Sequence, residues 1–199
     1  MLEIFQKGGP LMYPILLCSV LALAIFFERV WTLFRLGRGT IAMVREVESL
    51  VRKNRIEEAV IVCQRTGTPL ARILVSALRS AGRPREQIKT IVEEVGGREA
   101  APLERYLGLL GTIATISPLL GLLGTVLGMI EAFTIISAQG GGTPATLGGG
   151  ISKALITTAA GLTVAIPTIL LHKYLTSRVD RMVLEMEEYS LHMVDLLGE

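Results

Sequence analysis

Three long apolar runs free of charged residues constrain this chain more than any other feature of its sequence. They are Gly8–Phe27, Leu107–Ile130 and Ala154–Leu171. Roughly 20 apolar residues in an α-helix cross the hydrocarbon core of a bilayer, and half of all residues here are apolar. The runs predict an all-α membrane protein with three transmembrane helices, whose two termini lie on opposite sides of the membrane.

Lysine and arginine are distributed very unevenly between the segments that join these runs. Fifteen of the twenty lie between Arg29 and Arg105, and none lies between Ala138 and Ser152. Because basic segments beside a span stay in the cytoplasm, we expect the middle segment and the C-terminus to be cytoplasmic. The protein is then a multi-pass protein of the bacterial inner membrane. The first run leads directly into the basic segment, so we expect a retained span and not a cleaved signal peptide.

The apolar runs, the basic segments and the turn signals together predict six segments. They are a periplasmic N-terminus with transmembrane helix 1 (1–36), a cytoplasmic helical segment (37–105), transmembrane helix 2 (106–137), a short periplasmic loop (138–143), transmembrane helix 3 (144–172) and a cytoplasmic C-terminal helix (173–199). The C-terminal helix carries one apolar stripe, which requires a partner helix.

Turn signals divide the predicted cytoplasmic segment into several helices. Thr68-Pro69 predicts an N-cap and the first turn of a helix that ends at Gly82. Further along, Gly96-Gly97 and Pro102 predict bends. Glu28 and Arg29 follow the first apolar run, and we expect them to form a local ion pair whose charges reach the lipid headgroups.

The two cysteines fall in different environments. Cys18 lies in the first apolar run and Cys63 in the middle segment, so we expect no disulfide and no metal site. The sequence also has no nucleophile–base pair and no phosphate-binding loop, so neither an enzyme nor a cofactor is expected.

Small residues are concentrated in the second and third runs. In lipid, helices associate where small side chains let the backbones approach closely. The sequence therefore predicts that these helices pack tightly, either within one chain or in a homo-oligomer, which we favour. The predicted packing residues are Gly121, Gly124, Gly128 and Gly161.

Polar residues and prolines also recur inside the same two runs. Polar groups in a span are costly and usually face a cavity or a neighbouring helix, although an isolated threonine often only bonds the carbonyl one turn earlier. Pro118 and Pro167 each free a backbone carbonyl and predict kinks. The hydroxyl residues that form candidate strips are Ser117, Thr125, Thr157, Thr158 and Thr168.

Two long motifs resemble the membrane helices of the ExbB/TolQ/MotA family. The stretch from Gly108, GLLGTIATISPLLGLLGTVLGMIEAF, resembles their second span, and that from Gly150, GISKALITTAAGLTVAIP, resembles their third. The resemblance implies a homopentamer around two copies of a single-span ExbD/TolR-like partner that carries a membrane aspartate. It also implies that Thr125 and Thr158, with Thr157 beside them, line an ion route.

Lys153 departs from the pattern of this family, in which a glutamate often occupies the corresponding position. A fixed positive charge in a cation path would oppose conduction, so we expect Lys153 to lie off the route, reaching outward or toward a subunit interface. On this hypothesis, Lys153→Ala leaves function intact and Lys153→Glu is tolerated.

The resemblance favours the channel subunit of an ion-driven motor that powers work in the cell envelope. The alternative is a structural membrane scaffold without ion conduction, which would have no need of aligned threonines. The sequence leaves open whether protons or sodium ions are used and which envelope process is powered.

Overall fold

The computed structural model describes residues 8–37, 39–139 and 144–198, apart from the side chains of 139 and 144–147. Within these residues it contains seven α-helices and no β-strand, which confirms the predicted all-α class. The helices are α1 (Met12–Gly37), α2 (Thr40–Arg52), α3 (Ile56–Thr66), α4 (Pro69–Arg79), α5 (Arg85–Ala100), α6 (Leu107–Gln139) and α7 (Pro144–Leu197).

The chain divides into two compact units. The hairpin unit consists of the chain up to Glu28 together with Tyr106–Tyr174, and the bundle unit consists of Arg29–Arg105 together with the chain from Leu175 onward. Helices α1 and α7 each contribute residues to both units. The sequence predicted the middle segment and the C-terminal helix as separate segments, whereas the structure groups them in one unit.

The hairpin unit contains the apolar parts of three helices that are long and apolar enough to cross a membrane. Their outward faces carry large exposed apolar side chains, among them Leu17, Phe27, Leu122, Ile130 and Leu170. Burial of such surface stabilises a protein by about 25 cal/mol per Å², so this surface suits lipid. Three candidate spans were predicted, and the described residues contain three. Helix α7 begins at Pro144, where transmembrane helix 3 was predicted to start.

Within the bundle unit, helices α2 to α5 pack in sequential order, each on the next. The Thr68 hydroxyl accepts a hydrogen bond from the Ala71 N–H at 3.3 Å, and Pro69 occupies the first turn of α4. This confirms the predicted start, and an N-cap of this kind contributes about 1 kcal/mol. The helix ends at Arg79, slightly before the predicted stop at Gly82.

The prediction of bends after α4 was partly wrong. Helix α5 continues through Gly96 and Gly97 to Ala100, and the break falls around Pro102. The expectation for Arg29 was also wrong, since this residue is only 4% exposed and its Nη1 donates to the Pro102 carbonyl at 3.2 Å. The guanidinium therefore stabilises the turn around Pro102, a role that its position beside an apolar run did not indicate.

The apolar stripe of the C-terminal half of α7 is buried within the bundle unit. Val179, Met186 and Met193 are all buried there. Near the end of the helix, the Arg85 guanidinium donates to the Asp195 carboxylate at 2.7 Å and 2.9 Å. The partner that the stripe requires is thus supplied by the same chain.

Cys63 is fully buried in α3, with its Sγ 3.8 Å from the Met43 sulfur. Desolvation raises the pKa of this thiol to about 11 from an ordinary value of 9.0. Because the thiolate is the reactive form, maleimide should label Cys63 at pH 8 only after the protein is unfolded. Between pH 9 and 11 the unfolded thiol loses its proton first, so stability should fall as pH rises. Rapid labelling of the folded Cys18→Ser variant would contradict this prediction.

Candidate functional site

Helices α6 and α7 approach each other along a line of glycines. A methyl group placed on Gly161 would lie 2.6 Å from the Ser117 carbonyl oxygen, and one on Gly121 would lie 3.0 Å from the Thr158 Cα. Further along, a methyl on Gly128 would lie 3.0 Å from the Ala154 Cβ. The glycines therefore let the backbones of α6 and α7 approach closely. These two antiparallel helices form one hairpin. Because this face is occupied within one chain, a second copy would have to contact other faces.

Thr158 lies in this helix–helix contact. Its hydroxyl donates to the Gly121 carbonyl oxygen at 2.9 Å, across the gap between α7 and α6. The side chain is only partly buried. Since the hydroxyl proton is used in this bond, the oxygen presents only its lone pairs to other groups, so it could accept from water or a protonated carboxyl group or bind a cation.

Thr125 lies on another face of α6, about one helical turn beyond the residue that Thr158 contacts. It follows Gly124 directly and is four residues, about 6 Å, from Gly121. Its hydroxyl donates to the Leu122 carbonyl at 2.6 Å. The side chain lines a shallow outward groove with Met129, Phe133 and other residues of the same face. Thr125 therefore lies about one helical turn from the point where Thr158 contacts α6, and no hydrogen bond joins the two threonines among the described residues.

Thr157 has surroundings different from those of Thr158. It is 1% exposed, packs against Gly124, and its hydroxyl lies 2.9 Å from the carbonyl oxygens of Gly8 and Lys153. The structure therefore separates two adjacent threonines that the sequence had treated together. Thr157 connects α7 to the residues just before α1.

Both prolines lie inside helices that continue past them. The neighbouring residue in each case is a buried hydroxyl residue that bonds the carbonyl one turn earlier. Ser117 Oγ donates to the Ile113 carbonyl at 2.8 Å, and Thr168 Oγ1 donates to the Val164 carbonyl at 2.7 Å. The carbonyls that lose their donor to the prolines are those of Ala114 and Thr163, four residues earlier, so these two hydroxyl bonds go to the adjacent carbonyls and not to the freed ones.

Lys153 forms an ion pair within its own chain. Its Nζ lies 2.6 Å from Glu131 Oε2, and the two side chains are 33% and 54% exposed. The aliphatic part of Lys153 lies over Gly9, where an added methyl would be 2.6 Å from the lysine Cε. The expectation that Lys153 reaches outward or toward another subunit is therefore replaced by a pairing between α7 and α6, in which glutamate at position 153 would face a second carboxylate.

Glu131 is the site residue that the sequence analysis missed. It directly follows the apolar run that ends at Ile130, while Lys153 directly precedes the run that starts at Ala154. Two antiparallel helices joined by a short loop bring such flanking positions to the same end. That signal was present in the sequence, although only the structure shows that both side chains turn toward each other.

We expect a single methyl group on Gly161 to destabilise the hairpin. A Cβ there meets the backbone oxygen of Ser117, which cannot move away as a flexible side chain could. Overpacking of this kind costs about 1–3 kcal/mol. Gly149→Ala is the matched control, because a methyl at Gly149 meets nothing within 4 Å. Thermal unfolding in detergent should show a lower Tm for Gly161→Ala than for Gly149→Ala, and equal values would contradict the described packing.

Comparison with known proteins extends beyond these two helices. Residues 65–188 match the MotA/TolQ/ExbB proton channel family. An ExbB-like biopolymer transport protein of Synechocystis is 37% identical over 89% of this chain and 71% of its own length. The biopolymer transport protein exbB1 of Vibrio cholerae is 30% identical over 98% of this chain and 86% of its own length. The TolQ protein of the Tol-Pal system of Haemophilus influenzae is 41% identical over 42% of this chain and 36% of its own length.

The family match covers more than half of the chain and includes all of α6 and the apolar part of α7. It therefore includes the glycine contacts, both candidate threonines and the Lys153–Glu131 pair. Together with the three candidate spans, this identifies a multi-pass protein of the inner membrane. The chain belongs to the MotA/TolQ/ExbB proton channel family.

Proposed function

We propose that this chain is the ring-forming channel subunit of a motor driven by an ion gradient. Five copies would surround two copies of a single-span, ExbD/TolR-like partner whose membrane aspartate takes up and releases the ion. The work done would be in the cell envelope. The observation that carries this proposal is the bond from the Thr158 hydroxyl on α7 to the Gly121 carbonyl on α6, in a hairpin whose family is one of proton channels.

The proposed orientation places the N-terminus and the α6–α7 loop outside the cell. The bundle unit, including the C-terminal part of α7, would then lie in the cytoplasm. The support is the charge distribution, since fifteen of twenty basic residues lie between Arg29 and Arg105. In this orientation the Lys153–Glu131 pair lies toward the outer end of the hairpin.

The proposed conducting layer consists of the hydroxyls of Thr125 and Thr158. Each hydroxyl already donates to a backbone carbonyl, so each oxygen offers lone pairs to the partner's protonated aspartate or to a permeating cation. In a low-dielectric site the neutral form of a carboxyl group is favoured, and the aspartate could therefore alternate between neutral and charged forms. Five identical subunits would give the partner's aspartate five equivalent binding positions.

The remaining site residues receive packing roles in this proposal. Gly121, Gly124, Gly128 and Gly161 hold α6 against α7, and Thr157 holds α7 to the residues before α1. Pro118 and Pro167 shape the two helices beside the route. Contacts between copies would use outward faces other than the groove that contains Thr125.

A scaffold without ion conduction is the second candidate. The bond from Thr125 to the Leu122 carbonyl favours it, because this is the local bonding that a purely structural threonine makes. The bond from Thr158 to another helix has no such local explanation, and this difference favours the channel.

Reconstitution with the partner tests the proposed function. The chain would be co-expressed with the aspartate-bearing, single-span protein of the same organism, purified, and its complex mass measured. Proteoliposomes should show ion flux only when both proteins are present, because the described spans of this chain supply no carboxylate at the level of the threonines. Flux through the chain alone, or failure of the partner to bind, would contradict the proposal.

A further inference from the structure

The bundle unit contains a cavity of about 440 Å³ that the ion route does not use. It lies between the C-terminal half of α5 and the stretch of α7 from Val183 to Leu191, with Ile73 of α4 at its edge. Most of its lining residues are apolar. Its volume equals that of about fifteen water molecules in the liquid, and apolar walls bind water poorly. A volume of this size and a mostly apolar lining are typical of a ligand-binding site.

Two adjacent glycines of α5 create much of this space. A methyl group on Gly97 would meet nothing within 4 Å, and one on Gly96 would only just reach Ile73 at 4.0 Å. Neither glycine has the positive φ that would require glycine. In a helix interior each costs about 1 kcal/mol relative to alanine. The packing of the chain therefore does not explain these glycines, whereas the approach of another backbone would.

The charged residues that line the cavity are both acidic. Glu93 lies 3.8 Å from Lys89, and Glu187 has no ion pair among the described residues. Both side chains line the cavity, and no basic residue lines it among the described residues. A complementary occupant would therefore carry positive charge.

Ser190 provides an independent indication of a missing partner. It lines the cavity, is 3% exposed, and its hydroxyl has no hydrogen-bond partner within the part of the chain that the structure describes. Other helical hydroxyls of this unit, such as those of Ser76 and Ser80, bond the carbonyl one turn earlier. A buried hydroxyl without a partner costs about 1–3 kcal/mol, which an arriving donor or acceptor would remove.

The cavity is elongated, and we call it the groove. We infer that it docks a helical segment of a partner protein, and that the apolar face of this segment is flanked by lysine or arginine. The groove follows α5 from Glu93 to Ala100 and runs along α7 beside it, a length of about 12 Å. This shape suits a helix laid along the surface, with a few apolar side chains as anchors. The bare backbone at Gly96 and Gly97 allows close approach, and Glu187 would bind the cation. The inference does not depend on the ion route.

A labelled synthetic helix tests this docking site. The full chain would be placed in nanodiscs of zwitterionic lipid and titrated with a peptide that has leucines at i, i+3, i+4 and i+7, flanked by arginines. A matched peptide has glutamates in place of the arginines. The arginine peptide should bind at least about tenfold more tightly. Equal binding of the two peptides would overturn the inference.

Variants of the groove test where the peptide binds. A Cβ at Gly97 meets nothing within 4 Å, so Gly97→Leu should extend into the groove, keep the fold and weaken binding at least about tenfold. Glu187→Gln should weaken binding, whereas Glu188→Gln, outside the groove, should not. Ser190→Ala should weaken binding without lowering the Tm. Unchanged binding to Gly97→Leu, or self-association of the chain that Gly97→Leu abolishes, would show that a basic partner helix is not the occupant.

Discussion

Lys153→Glu should weaken the hairpin, and lower partner-dependent activity as a result, because it places two carboxylates where an ion pair of 2.6 Å now lies. An exposed pair contributes up to about 1 kcal/mol, and breaking a buried one costs about 3–5 kcal/mol. This pair lies between those limits, since it borders the apolar runs and both side chains are partly exposed. Lys153→Ala should have a smaller effect, because it leaves one uncompensated carboxylate and adds no repulsion.

The charge-swapped double variant Lys153→Glu with Glu131→Lys is the decisive control. It restores opposite charges at the same two positions, and it should recover a large part of the Tm and of the activity. Lys173→Glu, at an exposed position of the same helix, should have little effect on the Tm of the hairpin. If Lys153→Glu alone were as stable and active as the wild type, the pair would have no role in the hairpin.

Thr158→Val should remove ion-driven activity while leaving the protein assembled. Valine keeps nearly the same volume, so the change isolates the hydroxyl from the packing. Loss of the bond to the Gly121 carbonyl should cost about 1 kcal/mol of stability. Activity should fall at least about tenfold, the effect of about 1.4 kcal/mol at the conducting step. Thr125→Val should behave similarly. Thr157→Val should instead lower the Tm, because Thr157 is buried and bonded to Gly8.

Apolar runs and turn signals predicted the helices well because they act locally. The start of α4 at Thr68-Pro69 and that of α7 at Pro144 depend on residues within one turn. The three spans depend only on a continuous stretch of apolar residues. Such features can be predicted from the sequence of one segment, without knowing what that segment packs against.

Features that depend on which face of a helix meets another helix could not be predicted in the same way. Hydropathy locates Lys153 along α7, but only the register of the hairpin decides that it faces Glu131. Arg29 was expected at the headgroups and is buried on the Pro102 carbonyl. Gly96 and Gly97 were expected to bend α5, yet neither adopts a positive φ and the helix continues. For Lys153 and Arg29 a contact between distant residues decided the outcome.

Ion flux through reconstituted wild-type and valine-substituted complexes tests the central claim most directly. Each variant would be purified with the partner, its mass compared with that of the wild-type complex, and its flux measured in proteoliposomes under an imposed gradient. The account predicts intact complexes in which Thr158→Val and Thr125→Val each lose the flux. Intact complexes of both variants with wild-type flux would contradict the proposed ion route.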